Sequence, residues 1–323
     1  MSDMGRRIGV IGAGVMGAAH VRTLAEVDGA EVVAVADADM VRAEAAAGAA
    51  PGSRVVGDPL ELIAATDVDA VVIASPDATH EAFALACVQA GKPVLCEKPL
   101  AATGEASLRV VQAEAALGRR VVQVGFMRRY DPGYAAVKRQ LDDGRLGGAL
   151  LVHCAHRNAS VPPTYTSDML ITSSLPHEID VARWLLGEEV ARATVYRPRQ
   201  TTHASNGIQD PQFVILEMAG GVLVDVEVFA NAGYGYDIQC QVVGETGTVA
   251  LPPQVAPGFV ERFGPAYLEE LQTWVDRQGD GGPTGPSAWD GYAAAAVADA
   301  CLASLAGGEA VAVELAERPA LYG

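Results

Sequence analysis

The chain has 323 residues, enough for two ordinary domains, and half of them are hydrophobic. Its net charge of −17 excludes nucleic-acid and acidic-membrane surfaces, which need clustered Lys and Arg; it favours solubility or, secondarily, attraction of a cationic substrate. No apolar run reaches the roughly 18 to 20 residues of a membrane span, and Met1 to Arg7 leads straight into a strand-like segment without the apolar core of a signal peptide, so a cytoplasmic protein is expected.

Up to residue 124 the chain alternates short, Val-rich apolar runs with Ala- and Leu-rich stretches. The runs at residues 7–11, 31–36, 70–74, 93–96 and 121–125 are bounded by turn residues and read as buried parallel strands. Residues 16–27 and 79–90 between them have helical spacing. This alternation predicts an α/β, doubly wound parallel sheet of Rossmann type over residues 1–124. From residue 125 to 323 strands follow one another closely, at 149–155, 213–218, 222–229, 237–243 and 248–251. Ala219-Gly220-Gly221 reads as a hairpin loop, and residues 177–186 and 292–305 as two flanking helices. The expectation is an α+β domain on a largely antiparallel open sheet. Gly279-Asp280-Gly281-Gly282-Pro283 reads as a mobile loop.

Gly12-Ala13-Gly14-Val15-Met16-Gly17 is a G-x-G-x-x-G between a strand and a helix. The first glycine permits the tight turn and the second lets backbone approach a pyrophosphate. The third lets helix pack on strand, with the helix N-terminus facing the phosphates. Asp37 ends the second strand about 20 residues later, where a carboxylate accepts from the adenine ribose and repels a 2′-phosphate. Ala38 and Asp39 follow with no basic residue to hold that phosphate, so NAD is the expected cofactor. Gly12, Gly14, Val15, Met16 and Asp37 are the candidate cofactor contacts. Cys87, Cys96, Cys154, Cys240 and Cys301 are scattered without a CxxC pair, so free thiols are expected and no metal site is suggested.

Glu97-Lys98-Pro99 after the fourth predicted strand, with Ser75-Pro76 and Thr79-His80 after the third, makes the chain resemble the glucose–fructose oxidoreductase, inositol dehydrogenase and MocA family. Gly125-Phe126-Met127-Arg128-Arg129-Tyr130-Asp131, His156-Arg157-Asn158, His177-Glu178-Ile179-Asp180, Tyr234-Gly235-Tyr236-Asp237 and the stretch from Gly285 to Tyr292 are similar to its inositol 2-dehydrogenase branch. The resemblance spans nearly the whole chain. It implies a Rossmann domain followed by an α+β domain, a homodimer or homotetramer, and a polyol or sugar substrate. It adds Ser75, Pro76, His80, Glu97 and Lys98 to the cofactor side, and it implies that Arg128, Asn158 and Tyr236 line the polyol pocket.

Oxidation of a carbinol needs a base and a group that stabilises developing alkoxide charge. Lys98, at the carboxyl end of a strand, supplies an ammonium for that oxygen; His177, opening a helix, supplies a base near neutral pH. The inositol branch carries an aspartate four residues before this histidine, and here Ser173 stands in its place, while Asp168 lies five residues earlier still. Serine brings no charge, so Ser173 joins Lys98 and His177 as the third candidate catalytic position and points towards a ring alcohol other than inositol itself. The expected function is an NAD-dependent dehydrogenase for a secondary alcohol of a cyclitol or sugar. A specialised paralogue acting on an aminoglycoside or related secondary-metabolite sugar is the alternative, and a catalytically silent NAD-binding sensor is the alternative of another class.

Overall fold

The computed structural model describes residues 5–204, 207–277 and 282–323. Its contacts divide the chain into two units. The first gathers Met1–Phe126, Tyr267–Tyr292 and Glu317–Gly323; the second gathers Met127–Ala266 and Ala293–Ala316.

In the first unit strands and helices alternate as β1 (Arg6–Ile11), α1 (Val15–Leu24), β2 (Ala30–Ala36), α2 (Met40–Ala47), β3 (Arg54–Val56), α3 (Pro59–Ala64), β4 (Ala70–Ile73), α4 (His80–Ala90), β5 (Val94–Glu97), α5 (Gly104–Leu117) and β6 (Val122–Gly125). The six strands pair in parallel in the order β3-β2-β1-β4-β5-β6. Helices on both faces require strands apolar on both sides, which is why β4 reads Ala-Val-Val-Ile and is buried throughout. Polar residues set the helix starts: the side chains of Asp39, Asp58 and Thr103 accept from amides in the first turns of α2, α3 and α5. The core joins Ile8, Val10, Val35, Val72 and Leu95 to Val21 and Leu24 of α1, and to Leu271 and Trp274 from the later segment. A further edge contact comes from the same part of the chain, where the Val124 amide donates to the Pro286 carbonyl at 2.9 Å. Since β1 and β4 are neighbours, the connection after β1 runs to one side, to β2, and that after β4 to the other, to β5, opening a crevice at the carboxyl ends of the strands.

The second unit contains α6 (Pro132–Asp142), β7 (Ala149–Arg157), α7 (Pro176–Leu186), β8 (Val190–Tyr196), β9 (Gln212–Met218), β10 (Leu223–Phe229), β11 (Tyr236–Gly244), β12 (Thr248–Ala250) and β13 (Val255–Ala256). It also takes the start of α8 (Phe259–Arg277), most of α9 (Ala288–Gly307), and β14 (Val311–Ala312). The sheet runs β12-β11-β7-β10-β9-β8-β14, with β13 on β11. It is largely antiparallel as expected; β7 and β10 form its parallel pair. The predicted hairpin joins β9 to β10, turning through Gly221 at φ +91°. Gln212, Val214, Leu216 and Met218 alternate into the interior along β9, while Phe213, Ile215 and Glu217 on its other face are half-buried.

The sequence pattern misses β3, β8, β13, β14, α6 and α8. Three of these strands have only two or three residues, too few to show a period. In α8 an internal proline, Pro265, argues against a helix that tertiary packing nevertheless secures. Residues 279–281 of the expected mobile loop lie outside the described residues. The five cysteines are free and buried. Among the described residues no cluster of side chains could hold a metal ion, and no helix is long and apolar enough to cross a membrane.

Candidate active site

The candidate cofactor residues gather at the carboxyl ends of β1, β2, β4 and β5 in the first unit. Gly12 turns the chain at φ +93°, and a Cβ there would lie 2.5 Å from the Ala74 backbone. A Cβ on Gly17 would collide with the Gly12 carbonyl, so this glycine sets how closely α1 approaches the strand. Gly14 is different. It is the N-cap of α1, no side chain caps the helix, and a Cβ built on it meets nothing within 4 Å. Open space beside uncapped helix amides suits a pyrophosphate. Val15 and Met16 form the first turn of α1, with Val15 exposed.

Asp37 is nearly buried. Its Oδ2 accepts from the Ala13 amide at 2.7 Å and its Oδ1 from the Asp39 amide at 2.8 Å. Burial alone would raise this carboxyl; the two amides and a guanidinium hold it below its ordinary value. That guanidinium belongs to Arg42, whose Nη2 lies 2.9 Å from Oδ1. The expectation that no basic residue stands near Asp37 is therefore corrected. It holds for residues 38 and 39, but the first turn of α2 carries Arg42 back onto the carboxylate. Asp37 and Arg42 line a cavity of about 220 Å³ with Gly12, Ser75, Pro76 and Phe83.

Ser75 Oγ hydrogen-bonds Thr79 Oγ1 at 2.6 Å, and Thr79 donates to the Pro76 carbonyl. His80 is sealed beneath this turn. Its Nε2 is 2.8 Å from the Ser75 carbonyl and its Nδ1 2.7 Å from the Pro99 carbonyl, so it ties the loop after β4 to the loop after β5. Glu97 is likewise committed inside the protein. His20 of α1 meets its Oε1 at 2.8 Å, and the Lys98 amide donates to its Oε2 at 3.2 Å. Burial pushes the Glu97 carboxyl up, and His20 and Lys98 more than reverse that. Lys98 follows at the end of β5, half-buried and joined to Pro99 by a cis peptide.

The other candidates lie in the second unit. His156, at the end of β7, stands between Tyr236 and His177, at ring-centroid distances of 5.9 and 6.4 Å. Its Nδ1 is 3.0 Å from Glu178 Oε2. Arg128 pairs with the other oxygen of Glu178 and lies over the rings of Phe263 and Tyr134. It is only 1% exposed, so the guanidinium expected against a polyol is here engaged with Glu178 and braces His156 from behind. Burial raises the Glu178 carboxyl, but Arg128 and His156 outweigh it and lower the acid to about 2. The neighbouring Arg129 clasps Asp180 with bonds of 3.0 and 2.5 Å. Two consecutive arginines thus pin the first turn of α7, and with it His177, to the 3₁₀ turn at Met127–Tyr130.

Ser173 lies in a π turn, Leu170–Ser174, that leads into α7 and is closed by the Leu175 amide on the Leu170 carbonyl at 3.1 Å. Such turns recur at functional sites. Beside it the Ser174 hydroxyl meets Tyr165 Oη at 2.8 Å and the Asn158 amide at 3.5 Å. His177, Tyr236 and Asn158 are therefore brought into one neighbourhood around His156 and Ser174. No role for His20, Arg42, His156 or Glu178 follows from the sequence alone. His156 and Glu178 did stand in the quoted motifs, whereas His20 had no signal beyond its place on the apolar side of α1.

Residues 6–126 match the NAD-binding Rossmann-fold model of the GFO/IDH/MocA oxidoreductase family, and residues 138–314 match the C-terminal alpha/beta domain of that family. The chain is 55% identical over 334 aligned residues to inositol 2-dehydrogenase 2 of Saccharopolyspora erythraea, covering 99% of this chain and 98% of that one. It is 51% identical to inositol 2-dehydrogenase of Burkholderia cenocepacia, covering 98% of both chains. The solved structure of myo-inositol dehydrogenase from Lactobacillus casei, in complex with NAD(H) and myo-inositol, matches with a TM-score of 0.94 at 39% identity, over 99% of this chain and 100% of that one.

Proposed function

Because the chain belongs to the GFO/IDH/MocA oxidoreductase family, we propose that it is an NAD-dependent dehydrogenase oxidising a secondary ring alcohol of a cyclitol to the ketone. The observation that carries the reading is the cradle made by Gly12, the open side of Gly14, the uncapped start of α1 and the amide-fixed carboxylate of Asp37. These residues would hold a dinucleotide, which when bound would supply acceptance of the hydride from the carbinol carbon.

The chain supplies the rest. Lys98 donates a hydrogen bond to the substrate oxygen and stabilises the alkoxide charge that develops there. His177 accepts the hydroxyl proton. Asn158 and Tyr236 hydrogen-bond neighbouring ring hydroxyls, and Arg128, through Glu178 and His156, keeps that polar wall in place. Ser173 leaves this wall without the charge that an aspartate would bring. It favours a second reading, a paralogue specialised for a differently substituted ring such as that of an aminoglycoside. From the family resemblance we further propose a cytoplasmic homodimer or homotetramer.

The test is NADH formation with a panel of myo-inositol, scyllo-inositol, monosaccharides and aminocyclitols, repeated with Lys98→Ala. The wild type should reduce NAD with at least one ring alcohol. The variant should lose about 10²- to 10⁴-fold in kcat while binding NAD as the wild type does. A wild-type rate in the variant would remove Lys98 from the chemistry, and no turnover with any of the panel would sink the reading.

A further inference from the structure

Asp37 is crowded before any ribose arrives. A carboxylate offers about four acceptor sites. The amides of Ala13 and Asp39 take two, and Arg42 Nη2 takes a third. The two amide bonds belong to the fold, since they tie the β1 turn and the start of α2 to the end of β2. The third is different. The Arg42 side chain is 57% exposed, and its guanidinium rests on Asp37 at 2.9 Å and Asp39 at 3.6 Å. It is therefore the occupant that can leave the carboxylate. It also stands within one hydrogen bond of the oxygens that a ribose 2′ position must meet, on the wall of the 220 Å³ cavity.

On the reading of the preceding section, we infer that Arg42 is a ready-made receptor for a 2′-phosphate, kept from that use by Asp37 and Asp39. The cofactor preference of this chain is held by carboxylates that neutralise a correctly placed cation rather than by the absence of one. The charge count explains the preference. Two carboxylates and one guanidinium leave this corner with a net charge of −1, which repels a phosphate. Removing Asp37 brings the corner to neutrality, and removing Asp39 as well makes it positive. Arginine is the residue suited to the task, because its planar fork matches a phosphate in two parallel hydrogen bonds. Asp39 has a second duty: its Oδ1 caps α2 by accepting from the amides of Val41 and Arg42. Asparagine, which caps nearly as well, is therefore the substitution to use at that position.

The experiment is calorimetric titration of the whole protein with NAD and with NADP, with the melting temperature recorded for each variant. Asp37→Asn should gain about 10- to 100-fold in NADP affinity, the size expected of one hydrogen bond between charged groups. Asp37→Asn with Asp39→Asn should gain more. Adding Arg42→Ala to either should erase the gain. Should Asp37→Asn melt early, Asp37→Ser carries the same comparison. An NADP gain that survives Arg42→Ala would overturn the inference. So would variants that still bind NAD but gain no NADP affinity. A wild type that binds neither dinucleotide would instead overturn the dehydrogenase reading itself.

Discussion

Replacing Arg128 by methionine should destabilise the second unit by about 3 to 5 kcal/mol, because it strands the Glu178 carboxylate where water does not reach. The lowered pKa of Glu178 points to a similar figure. Its carboxyl is lowered from 4.5 to about 2, against the opposing effect of burial, by Arg128 first and His156 second. A depression of that size is worth about 3 kcal/mol at neutral pH, at about 1.4 kcal/mol per pH unit. The folded value lies below the unfolded one, so this stabilisation is complete above about pH 4.5 and disappears as the pH falls towards 2. Glu178→Gln should cost a similar amount by leaving the guanidinium buried and uncompensated. The pair Arg128→Met with Glu178→Leu should recover much of the loss, since a buried ion pair replaced as a whole by apolar groups is often close to neutral. Hydrogen exchange of α7 peptides reads this free energy locally, without assuming that both units unfold together. Single substitutions that each cost less than about 1 kcal/mol would refute the reasoning, as would a double variant no better than the worse single one.

Gly14→Val should leave the melting temperature nearly unchanged, because its Cβ meets open space at negative φ, yet weaken NAD binding about tenfold or more by obstructing the pyrophosphate. Gly17→Val should do the reverse in order of cause: its side chain drives α1 off the Gly12 carbonyl, costing about 1 to 3 kcal/mol of stability, readable as a lower urea midpoint. Ser173→Asp should raise kcat/KM for myo-inositol by about 5- to 30-fold, the difference between a charged and a neutral hydrogen-bond partner. It should also move the acid limb of the kcat/KM profile, where protonation silences His177 as a base, to higher pH, since a nearby carboxylate favours the imidazolium. A wild type already as efficient on myo-inositol as the aspartate variant would count against the role given to Ser173.

What could be read from the chain itself was whatever depends on local period and local chemistry. Short Val-rich runs bounded by turn residues and alternating with helical stretches read as buried parallel strands, and closely spaced strands with Ala219-Gly220-Gly221 between two of them read as a hairpin. The glycine spacing and Asp37 mark a dinucleotide site because backbone freedom and one carboxylate are local properties. Tertiary structure decided the rest, because pairing between distant residues leaves no period. Nothing local distinguishes Arg42 from the other arginines; it is the turn after β2 that folds it onto Asp37. His20 and Glu97 are separated by 77 residues and meet only when α1 packs beside β5. Consecutive Arg128 and Arg129 gave no sign that one would be sealed inside against Glu178 and the other clasp Asp180, 50 and 51 residues away. Tyr267–Tyr292 joined the first unit because Leu271 and Trp274 fill its core, a choice made by packing volume, which composition along the chain does not record.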